Sequence, residues 1–151
     1  MKSFTTADDI LDFAIANEQE AVDFYASLAM EARNEEMSQV FTQFAHEEMG
    51  HKSKLLHIKT TGQYTVKNEK VMDLKLADYL VDIQPHSGMT YAEVLILAMK
   101  REKNAFRLYL DLSAKAPTPG LKDLFLSLAQ EESRHKLRFE LEYDEFVLKE
   151  F

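Results

Sequence analysis

The sequence contains no cysteine. Disulfides, thiolate zinc sites, iron-sulfur centres and thiol catalysis are therefore excluded, and a reducing cytoplasm is a natural compartment. Glycine and proline are scarce too, at four and three among 151 residues. A sheet with many turns would need more of both, so long helices are expected, in keeping with the prominence of Ala, Leu, Glu, Lys and Met. No apolar run approaches the length that spans a bilayer, and Met1 to Ile10 lack the basic and apolar regions of a leader. A soluble, unexported, cytoplasmic protein is expected. Basic residues are in the minority, 18 Lys and Arg against 26 Asp and Glu, for a formal charge of −8. Phosphate backbones and anionic membranes would be repelled, so neither nucleic acid nor membrane is expected as a partner.

What is present is apolar material in a helical rhythm. With 46% hydrophobic residues the chain can bury the core of one domain, residues 1–151. Thr6 to Asp9 resembles a capping box and opens a first helix that runs to about Met30. Its inward stripe is Leu11, Ala14, Glu18, Ala21, Tyr25, Leu28, Ala32, the alternating steps of three and four that a bundle seam requires. Asn34 caps a second helix over about 35–60, with the stripe Met37, Phe41, Phe44, Glu48, His51, Leu55, Ile58. Gly50, inside that helix, costs roughly 1 kcal/mol against Ala, which suggests close packing or a local bulge beside His51.

Residues from about 62 to 89 break the rhythm with Gly62, Pro85 and Gly88, although Asp73 to Ile83 could form a short helix. A connection of this length can cross a bundle from end to end. Thr90-Tyr91-Ala92-Glu93 is a capping box for a third helix, with the stripe Leu95, Ala98, Glu102, Ala105, Tyr109, Leu112, Ala116. Thr118 and Pro119 then start a fourth, running to about 149, with the stripe Leu121, Phe125, Leu128, Glu132, His135, Phe139. The helix pairs thus cover about 6–60 and 90–149.

In each half the dry seam runs through charged or polar side chains, which is costly unless they meet a partner. Glu48 and His51, like Glu132 and His135, stand three residues apart and so share one helix face. Glu18, Glu48 and His51 correspond to Glu102, Glu132 and His135 at one shared offset of 84 residues. Ala14, Tyr25, Leu28, Phe41, Ala45, Glu47 and Lys52 meet identical residues at that offset. The fold class expected is all-α, an antiparallel four-helix bundle with a long crossover between helices two and three, built by duplication of a helix pair. Four carboxylates and two neutral imidazoles at its centre match two divalent ions, and suit iron or manganese better than zinc or copper. Without metal, such a cluster would hold like charges in low dielectric and some carboxyls would need raised pKa values.

At these residues, and over essentially the whole chain, the sequence resembles the ferritin-like di-iron carboxylate superfamily, most closely its rubrerythrin and bacterioferritin branches. The motif is a lone Glu on helices one and three plus Glu-x-x-His on helices two and four. The resemblance implies two iron ions per chain, with manganese or a mixed pair as the alternative. Glu48 and Glu132 would bridge them, Glu18 and His51 would complete one coordination shell, and Glu102 and His135 the other. It further implies that Glu47 and Glu131 hold the imidazoles of His135 and His51, the competing reading being exposed surface glutamates. Tyr25 and Tyr109 would bond ligand carboxylates or act as one-electron donors, against a plain reading as core tyrosines.

Three functions follow from this resemblance and donor set. The first is an oxidoreductase of oxidative-stress type in which two ferrous ions reduce hydrogen peroxide or dioxygen. The second is a ferroxidase or iron store, and the third a non-catalytic bundle stapled by metal. Lacking cysteine, the chain has no rubredoxin domain, so a separate electron-donor protein is expected. Ala105 stands where typical rubrerythrins carry an additional glutamate ligand, which leaves a bacterioferritin-like centre of six ligands. No methionine is placed as a haem ligand and no fifth helix is evident after Phe151, so neither haem nor a storage cage is expected. Lys100, Arg101, Lys103 and Arg107 read as a solvated face, as do His46, His57 and His86. Val94, Ile96, Leu97, Phe106, Leu108 and Leu110 lie beyond the seam of helix three; they read as a strip for a homodimer partner or as a contact for the crossover.

Overall fold

The computed structural model describes residues 7–61 and 89–150. The expected crossover from 62 to 88, with its short helix over Asp73 to Ile83, lies outside the described residues, as do Thr6, His86 and Phe151. Four helices are described: α1 Ala7–Glu31, α2 Glu35–Thr61, α3 Tyr91–Lys115 and α4 Pro119–Glu150. They match the periodic segments of the sequence to within a residue or two.

Local chemistry sets the ends. The Asn34 side chain accepts the Met37 amide at 2.8 Å and its carbonyl accepts the Ser38 amide at 3.0 Å, so Asn34 caps α2. Thr90 accepts the Glu93 amide at 3.1 Å while the Glu93 carboxylate accepts the Thr90 amide at 2.9 Å, a complete capping box for α3. α3 ends where Ala116 turns extended, at φ −66° and ψ 134°, as the residue ahead of Pro117 is driven to do. Thr118 then accepts the Leu121 amide at 3.2 Å, with Pro119 in the first turn where its missing N–H is harmless.

The helices form two compact units, each a hairpin. In the first, Ser38 donates to the Ala29 carbonyl at 2.8 Å, Lys52 to Gln19 at 2.6 Å, and Lys59 pairs with Asp12. As one position falls along α1, its partner rises along α2, so the helices are antiparallel. The second hairpin shows the same inverse register: Tyr109 stacks on Phe125 with ring centres 6.4 Å apart, and Tyr91 meets Phe146 edge-on at 5.1 Å. The α2 and α4 stripes are buried at every position, and those of α1 and α3 everywhere except half-buried Ala21, Ala32, Ala105 and Ala116. Burying one Leu, Ile or Phe contributes about 1.5–3 kcal/mol, so these seams are what hold each hairpin closed.

Gly50 departs from expectation. Its helix runs on unbroken, the residue is exposed, and a Cβ built there would meet nothing within 4 Å, so neither close packing nor a bulge accounts for it. Gly50→Ala should therefore stabilise the protein by about 0.5–1 kcal/mol through helix propensity. Urea denaturation would show this as a raised midpoint at unchanged slope; a lowered midpoint would mean that the backbone at Gly50 needs freedom the helix does not reveal. The α3 strip also divides. Leu97 and Leu108 belong to the core, Val94 and Phe106 are half-buried, and only Ile96 and Leu110 are exposed.

Candidate metal centre

Each hairpin gathers one glutamate from its first helix and a Glu-x-x-His pair from its second. In the first hairpin, Nδ1 of His51 lies 3.5 Å from Oε2 of Glu18 and 3.5 Å from Oε1 of Glu48. The spacing of the pair on α2 puts both side chains on the face that Glu18 presents from α1, about one turn apart. In the second, Nδ1 of His135 lies 3.6 Å from Oε1 of Glu102. Donor atoms of Glu18, Glu48 and His51 lie within 4.8 Å of one another, and so do those of Glu102, Glu132 and His135. All six side chains are 2% exposed or less.

These separations can be tested against a shared ion. Donors bonded to one first-row ion at about 2.1 Å stand about 3.0 Å apart when adjacent and about 4.2 Å apart when opposite. The observed 3.5 and 3.6 Å fall between those limits. Nδ1 of His51 faces both Glu18 and Glu48, and Nδ1 of His135 faces Glu102, so Nδ1 is the nitrogen that would meet an ion in each triad, with the Nε2 proton left for another acceptor.

The electrostatics point the same way. Burial, and after it the neighbouring Glu48 carboxylate, push the Glu18 carboxyl up from about 4.5 to about 8, while His51 pulls it down less strongly. A buried group held so far from its ordinary range is one that a cation would restore to the ionised form. Hard carboxylate oxygens with borderline imidazoles, and no sulfur, form a donor set that fits iron or manganese.

The remaining expectations sort less uniformly. Glu47 and Glu131 are half-buried rather than open surface side chains. Tyr25 and Tyr109 are each 1% exposed, Tyr25 meeting Phe44 edge-on at 5.8 Å. His46 and His57 are exposed. Arg101 corrects the reading of a wholly solvated basic face, because it is half-buried with its Nε enclosed. Glu142 was missed: it is 4% exposed and accepts a hydrogen bond from the Tyr91 hydroxyl at 3.3 Å. Two signals could have found it. It continues the three-four rhythm past Phe139, and at the offset of 84 it corresponds to core Ile58.

Comparison with known proteins agrees with this geometry. A structure search matches a Thermotoga maritima protein, solved by crystallography and assigned as ferritin-like and diiron-carboxylate. The two share 21% identity at a TM-score of 0.76, over 96% of this chain and 99% of the other. At that identity the likeness establishes fold alone, an all-α, ferritin-like four-helix bundle. No curated protein matches the chain. The sequence profile of the rubrerythrin family matches residues 9–143, a span that includes every helix-borne Glu and His of both triads. On that match, the chain belongs to the rubrerythrin family.

Proposed function

We propose that the two triads serve one dinuclear iron centre that reduces hydrogen peroxide or dioxygen, with electrons from a separate donor protein. The observation that carries the reading is the duplicated buried set, a lone Glu plus Glu-x-x-His in each hairpin. A single copy would recur by chance, and a structural staple needs no second copy with two further carboxylates. When bound, a pair of ferrous ions supplies two electrons, one from each, enough with two protons to turn hydrogen peroxide into two water molecules.

The chain's own residues do the rest. Glu48 and Glu132 are the proposed bridges, Glu18 and His51 the terminal donors on one side, and Glu102 and His135 those on the other. Four carboxylates offset the charge of two divalent ions, and the burial of all six side chains keeps bulk water from the donors. Glu47 and Glu131 are proposed to hold the Nε2 protons of the imidazoles, fixing Nδ1 as donor; their half-buried positions support this over a surface role. Tyr25 and Tyr109 are proposed to bond ligand carboxylates from within the core.

A ferroxidase is the second reading, and Ala105 favours it. In place of a carboxylate one turn from Glu102 the chain has a methyl group, so the centre keeps six ligands. The test exposes the anaerobic diferrous protein to limiting peroxide and, separately, to dioxygen. Peroxide should oxidise it at least about tenfold faster, a preference of about 1.4 kcal/mol in activation free energy. Faster reaction with dioxygen and a growing ferric mineral would select the ferroxidase instead.

A further inference from the structure

The outer face of α3 carries a stripe that neither the fold nor the metal site explains. Ile96, Lys100, Lys103, Arg107 and Leu110 follow steps of four, three, four and three, and all five are exposed. The two apolar ends, Ile96 and Leu110, are 36% and 37% exposed. From Ile96 to Leu110 the segment contains one acidic residue, Glu102, which is buried in its triad. None of the three cations has an ion pair among the described residues. The protein as a whole carries −8, so three cations in one row, without an ion pair among the described residues, stand against its average.

The duplication shows that the fold does not require them. At the offset of 84 the stripe corresponds to Asp12, Ala16, Gln19, Asp23 and Ala26 on α1, a helix without a single Lys or Arg. The second half has thus acquired a basic, apolar-tipped row where its twin is neutral to acidic.

We propose that this row docks a small acidic protein that carries single electrons. The proposal rests on the redox reading above. The stripe is about 21 Å long at 1.5 Å per residue, the scale of the small interfaces that serve transient electron-transfer encounters. Lys103 adjoins Glu102 in the chain, so a carrier on the stripe stands about one helix width, about 10 Å, from that proposed ligand. With no cysteine, the chain cannot hold an iron-sulfur or thiolate redox group of its own. Opposite charge would steer the carrier in, and the exposed Ile96 and Leu110 would give weak apolar contact that lets it leave.

The test uses iron-loaded protein, photoreduced flavodoxin as the acidic carrier, and durohydroquinone as an uncharged reductant. Lys100→Glu, Lys103→Glu and Arg107→Glu combined should slow reduction of the diferric protein by flavodoxin about tenfold or more at low ionic strength. Reduction by durohydroquinone and iron content should stay unchanged. The wild-type flavodoxin rate should fall with salt, because its charges act across solvent. The corresponding glutamine triple should lie between wild type and the reversal. Binding is read separately, by line broadening of isotope-labelled oxidised flavodoxin, and should vanish in the reversal variant. Unchanged flavodoxin rates and binding overturn the docking site and leave the redox reading standing. Binding lost in the reversal variant, with no electron transfer in wild type, supports the docking site while the redox reading fails. Sedimentation that finds wild type dimeric and the reversal monomeric assigns the face to a second copy and also overturns the proposal.

Discussion

Glu132→Ala should bind well under two iron ions per chain after anaerobic ferrous loading and lose its reaction with peroxide and dioxygen together. Glu132 is 1% exposed, stands one turn before His135, and in the proposed arrangement bridges both ions. A bridge is shared, so its removal weakens both positions, whereas Glu18→Ala should mainly weaken one. Simple unfolding is not the expected cause. In the metal-free protein the substitution removes a carboxylate from a low-dielectric cluster of like groups, which relieves repulsion and offsets the cavity left behind. Glu142→Gln is the matched control, because Glu142 is nearly as buried on the same helix yet belongs to neither triad. It should retain two irons per chain, by metal analysis beside circular dichroism. Normal stoichiometry in Glu132→Ala would refute the bridge, and metal loss in both variants would point to a packing effect.

The stability of the metal-free protein should fall as pH rises from about 4.5 to about 8. Glu18 has its folded pKa raised to about 8 from an ordinary 4.5, so in that window the folded state holds a proton that the unfolded chain has released. The stabilisation is therefore complete below about 4.5, shrinks through the window and is gone above about 8. For one such group the slope approaches about 1.4 kcal/mol per pH unit, and coupling to Glu48 shares the proton between the two carboxyls. Two ions per chain should reverse the trend, since a cation takes the place of that proton and binds better as the carboxyls ionise. Thermal unfolding between pH 5 and pH 8, with and without anaerobic ferrous iron, measures both slopes. Glu18→Gln should flatten the metal-free profile; a flat profile in the unsubstituted protein would show that burial does not hold Glu18 protonated.

Much of this was legible in the chain because it depends on neighbours close in sequence. The caps at Asn34, Thr90 and Thr118 act within three residues, so the helix starts followed from composition and spacing. The burial of the six candidate ligands was legible because polar side chains in a three-four apolar seam have to face inward, and the offset of 84 paired each with its twin. The family, too, was readable from that pattern, as the match over residues 9–143 bears out.

Other features were decided by contacts between helices, which no local pattern encodes. Which imidazole nitrogen turns to the carboxylates depends on how α1 meets α2 across 33 residues of chain, from Glu18 to His51. The rise of the Glu18 pKa arises from burial and from Glu48, set 30 residues away. That buried Glu142 finds a hydrogen-bond donor depends on Tyr91, at the start of α3, whose hydroxyl reaches it across 51 residues of chain, and Gly50 proves open because no neighbour approaches it. Periodicity thus determined which side chains face inward. The tertiary structure determined what each one meets there, because orientation, desolvation and charge coupling are properties of the assembled neighbourhood rather than of spacing along a helix.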